Sequence, residues 1–461
     1  LTFEQVTASF GETRMENPMI RLFRNRVYRN LFAAQIIALL GTGLATVALG
    51  LMAYALAGDR AGSVLGTALA IKMLSYVMLA PVAAALSTQV PRRIWLATLD
   101  IIRAIVVLGL PFVSEIWQIY CLVFLLQAAS AGFTPVFQAT IPEIIPQEED
   151  YTRALSLSRL AYDLETLISP ALAALLLTLI AAPMLFFGTA IGFSLSAVLV
   201  LSVRLPAPAA QPHRKFYQRT TRGIRIYLRT PRLRGLLGLS LAAAAITSMV
   251  FVNTVVIVRG TLGLSDGDVA LALGAFGGGS MLAALALPAV LGAGRDRAVM
   301  VAFALLGCAA LVMSAVLVRL GLSLPLLMAC WALAGIGYSG TLTPAGRLLR
   351  RSAHSEDLAA VFAAQFTLSH VCWLICYPLA GAGMTYLGLE PVLLLLAAVG
   401  VTGIAAALWQ WPRNQPAHLP HAHADLPSDH PHLQGPHPHA HAVIIDDLHP
   451  EYPTRISQPR S

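Results

Sequence analysis

The sequence predicts an all-α, polytopic membrane protein with twelve transmembrane helices in two pseudo-symmetric six-helix bundles. Three observations carry that prediction. Hydrophobic residue types make up 57% of the 461 residues and charged types 12%, with a mean hydropathy of +0.70, too little charge to cover a soluble surface of this size. The apolar residues gather in runs of about 20, the length that crosses a bilayer. Several short features also recur at a near-constant separation along the chain.

Each helix follows from its run. Twelve stretches, roughly 31–56, 62–87, 94–113, 116–139, 155–180, 184–204, 233–256, 269–291, 297–319, 324–346, 358–382 and 390–410, are long enough to span. In lipid every backbone polar group has to be satisfied inside its own segment, which makes each of them a helix. The runs divide the chain into a cytoplasmic terminal segment 1–30, a bundle 31–204, a basic linker 205–232, a second bundle 233–410 and a tail 411–461. The tail is expected to be disordered, because it has no apolar surface to bury. The opening LTFEQVTASFGETRMENPMIRLFRN has no signal-peptide pattern, and Leu1 and Met15 both fit as a start.

The net charge of +8 is spread between the apolar runs and not gathered on one face. It therefore reads as topology, with no nucleic-acid partner. Arg21, Arg24, Arg26 and Arg29 precede the first run; Arg92 and Arg93 follow the second; PHRKFYQRTTRGIRIYLRTPRLRG (212–235) links the bundles; Arg347, Arg350 and Arg351 follow the tenth run. The opposite loops hold little beyond Arg60, Arg259 and Arg319. This bias places both termini in the cytoplasm of a multi-pass protein of the bacterial inner (plasma) membrane. The five cysteines lie in apolar runs with no CxxC, so no disulfide framework or zinc knuckle is implied.

The repeats support two related halves. Pro81 recurs 207 residues on as Pro288, and Glu149-Asp150 as Glu356-Asp357; Thr134-Pro135 recurs at a separation of 209 as Thr343-Pro344. Parallel six-helix repeats of this kind build alternating-access transporters. The 207-residue separation also maps Asp163 in the fifth run onto His370 in the eleventh. If a pseudo-twofold axis relates the halves, these two groups face one another as metal or proton ligands.

A charge in hydrocarbon is costly and normally faces the bundle interior or a water-filled path. Asp163, Glu165, His370 and Lys72 are therefore the transport-site candidates. Arg159 and Asp163 stand four apart on one helix face, so a structural ion pair is the competing reading for Asp163. Glu165 points about 200° away from Asp163, toward a neighbouring helix, while a histidine bonded to a hydroxyl or carbonyl is the bland reading of His370. Lys72 is a candidate counter-charge for Asp163 or Glu165. Arg92, Arg93, Asp100 and Arg103 read as gating or structural ion pairs, and Cys372 and Cys376 as packing residues.

The stretches PVAAALSTQVPRRIWLATLDIIRA (81–104) and GFTPVFQATIPEIIPQEEDYTRALSLSRL (132–160) resemble the major facilitator superfamily, in particular its bacterial siderophore and macrolide exporters. RALSLSRLAYDLE together with a histidine-rich tail is similar to the Nre-type nickel-resistance permeases. The likeness covers about residues 20 to 410 and implies a twelve-helix exporter. Its usual loop pattern of a glycine followed by an acid-arginine pair is altered here to Ala84, Thr88 and Gln89, while Arg92, Arg93, Asp100 and Arg103 remain. The usual acidic gate latch is therefore missing.

The tail gathers nine of the twelve histidines: His418, His421, His423, His430, His432, His437, His439, His441 and His449. Alternating imidazoles on an extended, proline-rich chain suit nickel, cobalt or zinc. The expected function is secondary export of a divalent transition metal, most of all Ni(2+), with Co(2+) and Zn(2+) in the same class. Protons are the expected coupling ion, membrane lipid surrounds the chain, and neither a resident cofactor nor a protein partner is indicated. Siderophore or drug efflux is the alternative transport reading, and a membrane metal sensor the alternative of another class. No GxxxxGK[ST], HExxH or GxSxG motif is present, so no enzyme activity is expected.

Overall fold

The computed structural model describes residues 18–57, 61–207, 216–291, 295–413, 419–421, 439–441, 444–446 and 448–449. A short helix α1 (Pro18–Arg24) leads into the first bundle: α2 (Arg26–Ala57), α3 (Ala61–Ser87), α4 (Arg92–Gly109), α5 (Ile116–Ile144), α6 (Glu148–Leu177) and α7 (Leu185–Leu201). Linker helix α8 (Phe216–Arg229) leads into the second: α9 (Pro231–Val255), α10 (Asp266–Val290), α11 (Asp296–Leu320), α12 (Leu324–Leu342), a short α13 (Ala345–Arg350), α14 (Leu358–Leu387) and α15 (Leu389–Gln410).

Among the described residues, eleven helices are long and apolar enough to cross a membrane. The twelfth, α6, has the length at 30 residues but carries Glu148, Glu149, Asp150, Arg153, Arg159, Asp163 and Glu165. It tolerates them because it is wedged between α2 and α10, where polar side chains meet protein and not lipid.

The two halves repeat one packing scheme. In the first, α2 packs on α7 and α6, α4 on α7 and α5, and α3 on α5; in the second, α9 packs on α15 and α14, α11 on α15 and α12, and α10 on α12. The halves meet along two seams, α3 against α14 and α6 against α10, which the pseudo-twofold exchanges. Two glycines set one of the closest approaches. A Cβ on Gly335 of α12 would lie 2.0 Å from the Phe276 carbonyl oxygen, and one on Gly279 of α10 2.0 Å from that of Ala332. These neighbours are backbone and cannot rotate away. Gly335→Val is expected to remove most of the folded protein, read as the monodisperse peak of a detergent-solubilised fluorescent fusion.

The apolar core is distributed unevenly. In the second half, Leu236, Leu239, Ile246, Met249 and Val250 of α9 are fully buried within one continuous cluster. In the first half the core is divided. Tyr28, Leu31, Leu96, Val136 and Tyr151 form a cluster at the end that carries the termini, and Leu44, Leu110, Phe186 and Phe193 form another along the bundle. Packing is therefore interrupted within the first bundle, and that is where the cavity described below lies.

The basic linker forms α8 over Phe216–Arg229. Its buried face carries Ile226 and Tyr227 against α14, and its Arg222 clamps Asp357 through Nε at 2.5 Å. At the equivalent place in the first half, Arg21 of α1 reaches Asp150 at 2.7 Å. The duplicated Glu-Asp pairs thus serve as anchors: each holds the amphipathic helix that precedes its own bundle.

The tail was expected to be disordered, yet two short strands occur in it. β1 (Leu419–His421) pairs antiparallel with β2 (His439–His441), with His421 opposite His439 and Leu419 opposite His441. His418, His423, His430, His432 and His437 lie outside the described residues.

Candidate functional site

The cavity has a volume of about 320 Å3, in the range of small-molecule sites. All of its lining residues belong to the first bundle, and its polar ones include Gln35, Lys72, Tyr76, Gln127, Tyr162 and Glu165. Tyr76 donates its hydroxyl to Gln127 Oε1 at 2.8 Å, and the Lys72 ammonium stands 5.7 Å from the Tyr76 ring centre. Lys72 and Glu165 thus share one space without an ion pair within 4.0 Å among the described residues. Gly43 of α2 leaves room for this arrangement: a Cβ there would sit 2.1 Å from Ser169 Oγ and 3.1 Å from Glu165 Oε1.

His370 stands behind Tyr76. Its ring meets the Tyr76 ring edge-on at 4.9 Å and lies 4.2 Å from Phe366 and 5.6 Å from Trp373. Nδ1 lies 2.6 Å from the Phe366 carbonyl oxygen. A carbonyl only accepts, so Nδ1 carries the hydrogen and the neutral ring keeps its lone pair on Nε2. Metal-ligating histidines are commonly oriented in this way.

Asp163 has a different environment. Its carboxylate takes Arg159 Nη2 at 2.6 Å and the Ser280 hydroxyl at 2.7 Å, and the Arg159 guanidinium lies 4.4 Å from the Tyr338 ring centre. Ser280 is on α10 and Tyr338 on α12, so this group joins the halves along the α6–α10 seam. The expectation that Asp163 and His370 face each other needs correcting: no hydrogen bond, ion pair or ring contact joins them among the described residues. They lie on α6 and α14, which pack across the two seams on α10 and α3, so each meets a different partner helix. The carboxylate in the neighbourhood of Lys72 and Tyr76 is Glu165. Among the described residues no three His, Cys, Asp or Glu side chains are placed to hold one ion.

Asp163→Asn is therefore expected to reduce folded protein more than activity per molecule. It leaves the largely buried Arg159 without its counter-charge, at a cost of about 3–5 kcal/mol. Replacing both partners, Arg159→Met with Asp163→Leu, is expected to recover the folded amount on a detergent thermal-shift assay.

The other charged candidates divide by location. Asp100 is fully buried, pairs with Arg103 and accepts the Ser196 hydroxyl at 2.7 Å, while Arg103 lies between the Phe133 and Phe193 rings at 4.2 and 4.5 Å. The partners of this pair, Ser196, Phe133 and Phe193, all belong to the first bundle. Arg92 bonds Glu143 at 2.7 Å and ties α4 to α5; Arg93 is exposed.

The contacts that join the halves at the terminal end are different ones. Arg347, 4% exposed, reaches Glu148 at 2.5 Å, Asp296 at 3.3 Å and the Thr152 hydroxyl at 3.0 Å. Arg351 bonds Asp296 at 2.8 Å and also Glu148, and Arg350 bonds the Pro146 carbonyl. In sequence these arginines read only as topology signals, because their partners in the first half, Pro146, Glu148 and Thr152, lie about 200 residues away.

Known proteins share this architecture. The human organic anion transporter MFSD10 (TETRAN) superposes with a TM-score of 0.70 at 13% identity, covering 83% of this chain and 99% of that one. A bacterial homologue of the iron transporter ferroportin, in its outward-facing state, superposes with a TM-score of 0.65 at 14% identity, covering 83% and 97%. An uncharacterized MFS-type transporter of Bacillus subtilis (strain 168), YfiS, is 31% identical over 189 residues. That match takes in 40% of this chain and 44% of the relative, so it spans less than half of the relative's length. The family model of the Major Facilitator Superfamily matches residues 31–318 and 251–444, and with both bundles inside that match, the chain belongs to the Major Facilitator Superfamily.

Proposed function

We propose that the protein is a secondary transporter that exports a divalent transition-metal ion, nickel above all, in exchange for protons, and so confers metal resistance. The observation that carries this reading is the His370 imidazole, its Nδ1 bonded to the Phe366 carbonyl and its Nε2 lone pair left for a ligand, against the Tyr76 wall of the cavity that contains Glu165 and Lys72. Neutral imidazole suits nickel, cobalt and zinc.

In this mechanism Glu165 alternates between proton and metal. With the site empty of metal, the Lys72 ammonium offsets a Glu165 carboxylate. An arriving cation repels Lys72 and takes the carboxylate with His370 Nε2; a proton from outside later displaces it and protonates Glu165, and that proton leaves to the inside before the next cation binds. Moving a divalent cation out against a negative-inside potential costs about 4.6 kcal/mol per 100 mV, and proton entry supplies that energy. The arginine distribution places both termini, and the histidine segment with them, on the cytoplasmic side of a bacterial inner membrane. There nine imidazoles raise the local metal concentration at the mouth.

A second reading has its own observation. Gln35, Gln127, Tyr76 and Tyr162 give the cavity amides and phenols, and its volume suits a small organic solute. The two solved relatives divide the same way, one titled for an organic anion and one for an iron-transporter homologue. Accumulation of a panel of metals in cells with and without the protein, beside sensitivity to a panel of drugs and siderophores, separates the readings. Lower nickel content with unchanged organic-solute sensitivity is expected; the reverse pattern would replace the metal by an organic cargo.

A further inference from the structure

After α15, described residues of the chain lie against the second bundle at two places. Trp411 is buried, and its carbonyl accepts from Arg297 Nε at 2.8 Å. Further on, Ile445 is 3% exposed and belongs to the apolar cluster of the second half. Next to it, the Asp446 carboxylate lies 3.3 Å from His354 Nε2 and 2.9 Å from His449 Nδ1. It also accepts the backbone N–H groups of Leu448 at 2.9 Å and His449 at 2.6 Å. Burial works to raise the Asp446 carboxyl, but the bonds from His449 and His354 outweigh it and hold the group well below the ordinary carboxylate range.

The position of His354 gives these contacts a consequence. It sits in the connection 351–357 between α13 and α14. At one end Arg351 bonds Glu148 across the halves, and at the other Asp357 holds Arg222 of the linker helix. Whatever fixes this connection therefore fixes both the inter-half ion pairs and the linker clamp.

We propose that residues 444–446 and 448–449 form a built-in strap, plugged into the second half by Ile445 and tied to the α13–α14 connection by Asp446 and His354, that favours the arrangement in which the terminal end is closed. The strap restrains opening whatever the cargo is, so it stands apart from the metal reading. The Asp446–His354 contact is local to the second half and lies at its surface, so Asp446→Ala leaves both bundle cores intact.

The test is a distance measurement across the terminal end of the full-length protein in nanodiscs. Spin labels are placed at Glu149→Cys on α6 and Ala298→Cys on α11, both exposed, in a Cys121→Ser background. Three chains are compared: the labelled parent, Asp446→Ala, and a chain ending at residue 443. Asp446→Ala is expected to raise the ratio of long-distance to short-distance populations roughly fivefold, the effect of losing one charge-assisted hydrogen bond from the closed form. Ending the chain at 443 is expected to give at least the same shift. An unchanged distribution in both variants would overturn the proposal, as would an equal shift from Leu448→Asp, a substitution at the exposed side of the strap. No transport enters this measurement, so failure of the metal reading leaves its outcome interpretable.

Discussion

Glu165→Gln is expected to lower proton-driven export by roughly 100-fold or more, the range that follows loss of a proton-transfer group, while the amount of folded protein stays near that of the parent. Both parts come from the geometry. Glu165 shares the cavity with Lys72 but makes no ion pair within 4.0 Å among the described residues, so its charge is available for exchange. Glutamine keeps the size and the polar contacts and removes only the ability to alternate between proton and cation. Export by proteoliposomes at matched protein content checks the first part, and the size-exclusion profile checks the second. A purely structural Glu165 would show the opposite pattern, a loss of folded protein that Lys72→Gln restores.

Arg347→Ala is expected to have the second-largest effect, on conformation and not on chemistry. Arg347 is 4% exposed and is shared by Glu148, Asp296 and Thr152. Truncating one partner of a buried ion pair costs about 3–5 kcal/mol. Glu148 keeps 40% of its side chain exposed and both acids keep Arg351, which favours the lower end of that range. A loss of about 3 kcal/mol confined to the closed arrangement shifts the balance roughly 100-fold toward opening at the terminal end. Reactivity of a cysteine introduced at Thr152 toward a membrane-impermeant reagent is expected to rise accordingly. Arg347→Lys, which retains the charge but not the planar fork, should fall between the two.

The legible parts of the fold were those written in local spacing. Run lengths placed the helices, and the recurrence of Glu149-Asp150 as Glu356-Asp357 indicated the two halves. The Arg159–Asp163 pair could be read from its i,i+4 separation alone, and the structure places it in contact at 2.6 Å. α6 remained recognisable as a membrane helix by position in spite of its charges.

What could not be read depended on which helices are neighbours. The 207-residue separation pairs Asp163 with His370, but periodicity does not say that their helices lie on different seams, one residue against Ser280 and the other against Tyr76. The partners of the duplicated acids were also invisible, because Arg21 and Asp150 are 129 residues apart and Arg222 and Asp357 are 135 apart. The missing acid at Thr88 directed attention to Asp100 and Arg103 as a substitute gate. The structure keeps that pair inside the first bundle and joins the halves through Glu148, Asp296, Arg347 and Arg351 instead. In α8, the arginines alternate with Ile224, Ile226 and Tyr227, so its high charge masks a helical pattern.

The most direct test of the account is nickel movement by the purified protein in liposomes under an imposed proton gradient, with internal pH and nickel followed together in the parent, Glu165→Gln and His370→Gln. The account predicts nickel flux coupled to opposite proton flux in the parent, loss of both in Glu165→Gln, and weakened nickel preference over calcium in His370→Gln. Nickel-independent proton flux in the parent, or undiminished coupled flux in both variants, would contradict it.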